Sequence, residues 1–174
     1  MNKYKIGVLG PESSGKSILV KKLALFYNCI SVPEFAREYI ESLNRPYQYD
    51  DIILISKRQR EIEKTKFKIT EMLLICDSTL ITSKVWSYDK FDQCDQWIED
   101  EIQRETFDLY LLCRPDIKWE NDPVREDEKR REHLFEMYLC YLAEYNFNFK
   151  VIEGQGDVRS NMAIRYIDDL LNDR

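Results

Sequence analysis

Only one histidine, His133, occurs in the 174 residues, and no triad partner can be placed for it, so it reads as structural. No two of the five cysteines (Cys29, Cys76, Cys94, Cys113 and Cys140) stand at C-x-x-C spacing, and their number is odd. A disulfide framework is not expected, and a reducing cytoplasm suits thiols that pack as small hydrophobes. No apolar run approaches the ~18 residues of a membrane span, so no membrane partner is expected. Basic residues are not in excess: the formal net charge is −6 and the isoelectric point about 5.0. Nucleic-acid binders neutralise phosphates with a basic face, and none stands out, so no nucleic-acid partner is expected either. The run Lys57, Arg58, Arg60, Lys64, Lys66 and Lys68 is interrupted by Glu61 and Glu63 and reads as a solvated helix face. Repeats and low-complexity linkers are missing, the opening Met1 to Ile6 reads as a strand rather than a signal peptide, and no signal sets an oligomeric state.

What is present is an alternation of short apolar runs with longer amphipathic ones. Strands are expected at Tyr4–Leu9, Cys29–Val32, Met72–Cys76, Leu109–Cys113 and Phe149–Ile152. Helices are expected between them, at about 16–26, 35–43, 51–70, 80–88 and 93–104, then along Leu134, Met137, Tyr138, Tyr141 and Tyr145, and last from a cap at Asp157. In the long third helix, Asp50 or Asp51 can serve as the cap, and Ile55, Ile62 and Ile69 share a face at seven-residue spacing. The pattern predicts one α/β domain over 1–174: a three-layer P-loop NTPase, nucleoside-monophosphate-kinase-like fold with a five-stranded parallel sheet. Ligands in such folds sit at the carboxyl ends of the strands, which singles out the loops after Leu9, Val32, Cys76 and Cys113.

The first of those loops carries the strongest motif. Gly10-Pro11-Glu12-Ser13-Ser14-Gly15-Lys16-Ser17 matches G-x-x-x-x-G-K-[ST] between a strand and a helix. Backbone N–H groups of such a loop cradle nucleotide phosphates, and the helix start adds its dipole. Lys16 reaches the β- and γ-phosphates and the Ser17 hydroxyl ligates Mg²⁺, so Gly10, Glu12 to Ser17 and Ile18 form the expected ATP site. Asp77, directly after the third strand, suits either a second metal group beside Ser17 or a helix cap, a role open also to Ser78 and Thr79.

The guanine-reading N-K-x-D and the D-x-x-G switch are both missing, which argues against a GTPase. A small-molecule kinase instead needs an acceptor site and a lid. After the second strand, Glu34 is placed to bind an acceptor hydroxyl, with Arg37 one helical turn on; the alternative is a surface pair at a helix start. The stretch from about 116 to 131 is polar, broken by Pro123 and dense in charge, and reads as a lid with Arg125 and Arg131 as its arms, or else as a solvated helix start. Trp86 suits core packing or stacking on a flat heterocycle.

Taken in order, Gly10 to Ser17, Pro33-Glu-Phe-Ala-Arg-Glu-Tyr39, Cys76-Asp-Ser-Thr-Leu-Ile-Thr-Ser-Lys-Val-Trp86 and Asp122-Pro-Val-Arg125 resemble the ribosylnicotinamide kinase domain of the NadR proteins, an AAA-like P-loop ATPase family. The resemblance implies phosphorylation of nicotinamide riboside to nicotinamide mononucleotide by ATP and Mg²⁺. It assigns Lys16 and Ser17 to ATP–Mg²⁺, Asp77 to the metal region, Glu34 and Arg37 to the acceptor cleft, Arg125 to the lid and Trp86 to the nicotinamide pocket. One departure is Thr79, where the family often has an acid. The full regulators also carry a DNA-binding module and an adenylyltransferase domain, for which this sequence leaves no room, so a repressor role is not expected.

Overall fold

The computed structural model describes residues 2–104, 107–119 and 128–172. Five strands form one parallel sheet: β1 (Tyr4–Leu9), β2 (Ile30–Val32), β3 (Leu73–Asp77), β4 (Leu109–Cys113) and β5 (Phe149–Ile152), in the order β2-β3-β1-β4-β5. The helices are α1 (Lys16–Phe26), α2 (Phe35–Ser42), α3 (Tyr49–Ile69), α4 (Leu80–Phe91), α5 (Gln96–Arg104), α6 (Arg131–Glu144) and α7 (Asp157–Asn172), with a 3-10 turn at Glu128–Arg130. The expected strands and the fold class are met to within a residue or two.

Alternate strand residues feed two cores. Ile6, Val8, Ile75 and Leu111 pack with Leu19 and Leu23 of α1 and with Ala163 and Ile167 of α7. Leu74, Cys76, Tyr110 and Leu112 pack with Ile52, Ile81, Val85, Phe135 and Leu142 on the other face. β1, β3 and β4 are buried along their whole length, as strands covered on both faces must be.

Helix α3 departs from expectation in three ways. Its cap is Gln48, in a capping box with Asp51. Ile55 is buried but Ile69 is 64% exposed. A straight helix drifts by ~20° per seven residues, so the third isoleucine has rotated off the packed face. The basic run is not wholly solvated either. Arg60 and Glu63 are buried, with Arg60 Nε 3.2 Å from Glu101 Oε2.

The register explains where the site lies. Val8 pairs with Asp77 and Val32 with Cys76, all in parallel strands. The chain therefore leaves β1, β2 and β3 on the same edge, which brings the loop after Leu9, Glu34 and Asp77 together.

Candidate active site

The loop from Gly10 to Gly15 wraps into a cradle because its backbone enters the left-handed region at Gly10 (φ 139°), Ser13 (φ 51°) and Gly15 (φ 79°). A Cβ on Gly10 would stand 2.5 Å from the Cys113 carbonyl oxygen, so β4 passes too close for any side chain there. Gly15 is the N-cap of α1, with no side-chain cap and no acid in the first turn. The first N–H groups of α1 are thus left for an anion, supported by the helix dipole. Lys16 Nζ donates to the Pro11 carbonyl at 2.9 Å, lying back along the loop. Ile18 is 60% exposed on α1.

Asp77 ends β3 and is buried. The cap of α4 is Thr79, whose hydroxyl oxygen accepts from the Ile81 N–H at 3.2 Å, so Asp77 does not cap that helix. Its Oδ1 is enclosed without a hydrogen-bond partner, and Ser17 lies beside its carboxyl group. Burial, and then the nearby Glu34 carboxylate, push the Asp77 carboxyl up to about 6, against the pull of Lys16, Ser17 and Lys21. An enclosed carboxylate oxygen with spare lone pairs, next to a hydroxyl and a phosphate cradle, fits the hard oxygen set that Mg²⁺ takes. Ser17 and Asp77 are the residues that would hold it.

Glu34 closes the group. It stands at the start of α2 and accepts from the Ser78 hydroxyl at 2.8 Å. Its partner is not Arg37, whose Nε lies 3.1 Å from Glu41. Both Glu34 and Arg37 nevertheless line one open cleft of about 250 Å³, with Pro33, Phe35, Glu38 and Ile62. Trp86 does not line that cleft. Its indole N–H donates to the Tyr47 hydroxyl at 3.1 Å, and the two rings meet edge to face at 4.8 Å. Of the lid arms, Arg125 lies outside the described residues. Arg131 begins α6, and its Nη1 donates to the carbonyls of Ile117 at 3.0 Å and Ser13 at 3.3 Å, which brings it onto the phosphate loop. His133 is well exposed, with its ring 3.8 Å from Asp89.

Gln59 and Arg159 escaped the sequence, and Asp51, singled out there only as a candidate helix cap, has a further role. Gln59 of α3 accepts from the Phe35 N–H at 2.9 Å, pinning the backbone next to Glu34. Its own amide reaches Glu63 at 3.5 Å, and burial pushes the Glu63 carboxyl up to about 7 against the opposing Arg60 charge. Asp51 takes a two-pronged bond from Arg45 at 2.7 and 2.9 Å and a third from Tyr39 at 2.8 Å. The Arg45 guanidinium holds it well below the usual carboxylate range and fixes the loop that carries Tyr47. Arg159 of α7 bonds the phosphate loop itself. No spacing marks Gln59 or Arg159, whose contacts lie 24 and 145 residues away, and the bonds of Asp51 to Arg45 and Tyr39, six and twelve residues away, fit no helical spacing.

Residues 5–160 match the AAA domain family. The chain belongs to this family. Among its relatives is the trifunctional NAD biosynthesis/regulator protein NadR of Salmonella typhimurium, 26% identical over 97% of this chain and 43% of that protein. The chain therefore spans less than half the length of that relative. A NadR protein solved in complex with NR superposes with a TM-score of 0.87 at 23% identity, covering 99% of this chain and 52% of that one. The thymidylate kinase of Ehrlichia chaffeensis shares the fold over 99% of this AAA-family chain and its own full length, with a TM-score of 0.69 at 14% identity.

Proposed function

We propose that this AAA-family chain is an ATP-dependent kinase that phosphorylates nicotinamide riboside to nicotinamide mononucleotide, a step of NAD salvage. The observation that carries the reading is the convergence of Glu34 with Asp77, Lys16 and Ser17 at the mouth of the phosphate cradle: each contributes to the electrostatics or bonding of Asp77. A phosphate cradle alone implies only nucleotide binding; a carboxylate beside Asp77, carried on the loop after β2 two strands from β1, implies an acceptor. The likeness to a NAD biosynthesis/regulator protein and to a NadR structure in complex with NR supports nicotinamide riboside as that acceptor.

In the reaction, the riboside 5′-hydroxyl oxygen forms a bond to the γ-phosphorus of ATP while the bond to the β–γ bridging oxygen breaks, releasing ADP. Glu34 accepts the hydroxyl's hydrogen bond and aims its oxygen, and the proton leaves to Glu34 or to water. A strong base is not required if the transition state is loose. Lys16 moves from Pro11 to the phosphates, and Arg131, with Arg125 as the second expected lid arm, adds positive charge where negative charge accumulates on the phosphates. Ser17 and Asp77 would hold Mg²⁺ beside the nucleotide, and the ion would there supply neutralisation of phosphate charge. The acceptor is a cation, and Glu34, Glu38 and Glu41 outnumber Arg37 in the cleft, giving it the opposite sign. The Trp86–Tyr47 ring pair stands outside the Glu34–Arg37 cleft, and the nicotinamide is proposed to reach beyond that cleft to pack on it. The five free cysteines suit a reducing cytoplasm.

The test is ADP release with a panel of nucleosides. Stimulation by nicotinamide riboside is expected. Robust turnover of another nucleoside with none of this one would overturn the acceptor. ATP binding without stimulation by any acceptor would overturn the kinase reading.

A further inference from the structure

We infer that Arg159 is a positioning residue for the nucleotide: it sets the phosphate loop by holding the Ser14 carbonyl turned away from the cradle. A loop that points its N–H groups inward must point carbonyls outward, and buried carbonyls need donors. Three carbonyls of this loop are held by cations. Lys16 takes Pro11, Arg131 takes Ser13, and Arg159 Nη1 takes Ser14. Lys16 must release Pro11 to reach the phosphates. Arg131 belongs to the edge of the lid. Arg159 is 5% exposed and has no other task in the proposed reaction.

Its fork is fully engaged. Nε donates to the Gly154 carbonyl at 2.8 Å, and Nη2 donates to the Arg114 carbonyl at 3.0 Å and pairs with Asp116 Oδ1. The second oxygen of Asp116 accepts from the Gly154 N–H at 2.7 Å. One guanidinium thus ties the loops after β1, β4 and β5 into a single body, with its Nη1 3.8 Å from where a Cβ on Gly15 would lie. Lysine offers one compact ammonium and cannot reproduce bonds diverging from three nitrogens. A cation buried under the cradle also favours the phosphates electrostatically, only partly offset by Asp116, whose side chain is 30% exposed.

The inference rests on the reading of Gly10–Ser17 as an ATP phosphate site. The experiment is a direct titration of ATP–Mg²⁺ onto the wild type, Arg159→Lys, Arg159→Met, and Arg159→Met combined with Asp116→Asn, alongside KM for ATP and for the acceptor. The dissociation constant is expected to rise by about 10- to 100-fold in both single variants, the range of a lost charge-assisted hydrogen bond. The acceptor KM should stay within about twofold, since Gln59 and Glu34 are untouched. The double variant leaves no unpaired buried charge, so it keeps the fold if Arg159→Met alone does not, and it should bind ATP as weakly. Wild-type affinity in the double variant would overturn the inference, because Arg159 would then be only a counter-ion for Asp116. Unchanged affinity in Arg159→Lys, or equal losses for ATP and acceptor, would also overturn it. A wild type that does not bind ATP at all would overturn the phosphate-site reading, and the inference with it.

Discussion

The phosphate loop and the proposed acceptor cleft are built by different means. On the phosphate side, the cradle is short-range geometry: left-handed backbone at Gly10, Ser13 and Gly15, an uncapped helix start, and carbonyls held outward by cations. Its backbone shape is set within the loop itself, and only Lys16 has to move, off the Pro11 carbonyl. On the acceptor side, Glu34 and Arg37 border an open cleft, and their placement depends on residues one step removed, Gln59 behind Phe35 and Asp51 behind the Tyr47 loop. A preformed site spends little ordering entropy on its ligand, and an open one closes at some cost in affinity. The nucleotide side is therefore expected to be rigid and intolerant, and the acceptor side graded in its response to substitution.

The largest effect should come from the rigid side. Lys16→Ala is expected to lower kcat by about 10²–10³-fold, as loss of one preorganised transition-state donor does, with an unchanged melting temperature. A steady-state assay with a thermal melt checks both; retained activity would remove the loop from the chemistry. Next is Glu63→Gln. Glu63 keeps its proton up to about pH 7 in the folded chain, whereas the unfolded chain releases it at the ordinary glutamate value of about 4.5. Stability is therefore lost as pH rises between those values and is level above, by ~3 kcal/mol in all. Denaturant titrations at pH 4.5, 6 and 8 should show that slope in the wild type and a flatter profile in Glu63→Gln.

Gln59→Leu should raise the acceptor KM by about tenfold, since it leaves the Phe35 N–H without its acceptor and loosens Glu34. KM for ATP should not move. An equal rise in both would mean that the two sides are not separable. The smallest effect expected is that of Trp86→Phe, which loses the bond to Tyr47 but keeps a ring; about a threefold rise in acceptor KM is predicted. If it exceeds the effect of Gln59→Leu, the ring pair and not the Glu34 wall dominates acceptor binding.

Legibility in the sequence divides along the same line. The sheet, its helices and the phosphate loop could be read because each follows from a local pattern: buried strands as apolar runs, and glycines at fixed offsets before a lysine. Asp77 could be placed because it ends a strand, but only the structure gives the cap to Thr79 and leaves Oδ1 without a partner. What stayed hidden were buried polar residues. Arg60, Glu63 and Gln59 look like any charged helix face until α3 is packed. Arg159 looks like a surface arginine until three loops converge on it. Ile69 is exposed for a related reason, a seven-residue repeat outrunning a 3.6-residue helix.

The most direct test of the central claim follows the phosphorus. With ATP, Mg²⁺ and nicotinamide riboside, ³¹P NMR should show the γ-phosphate signal falling as a phosphomonoester signal on the riboside 5′-oxygen grows in equal amount with ADP. Accumulation of inorganic phosphate in place of that monoester would contradict the account.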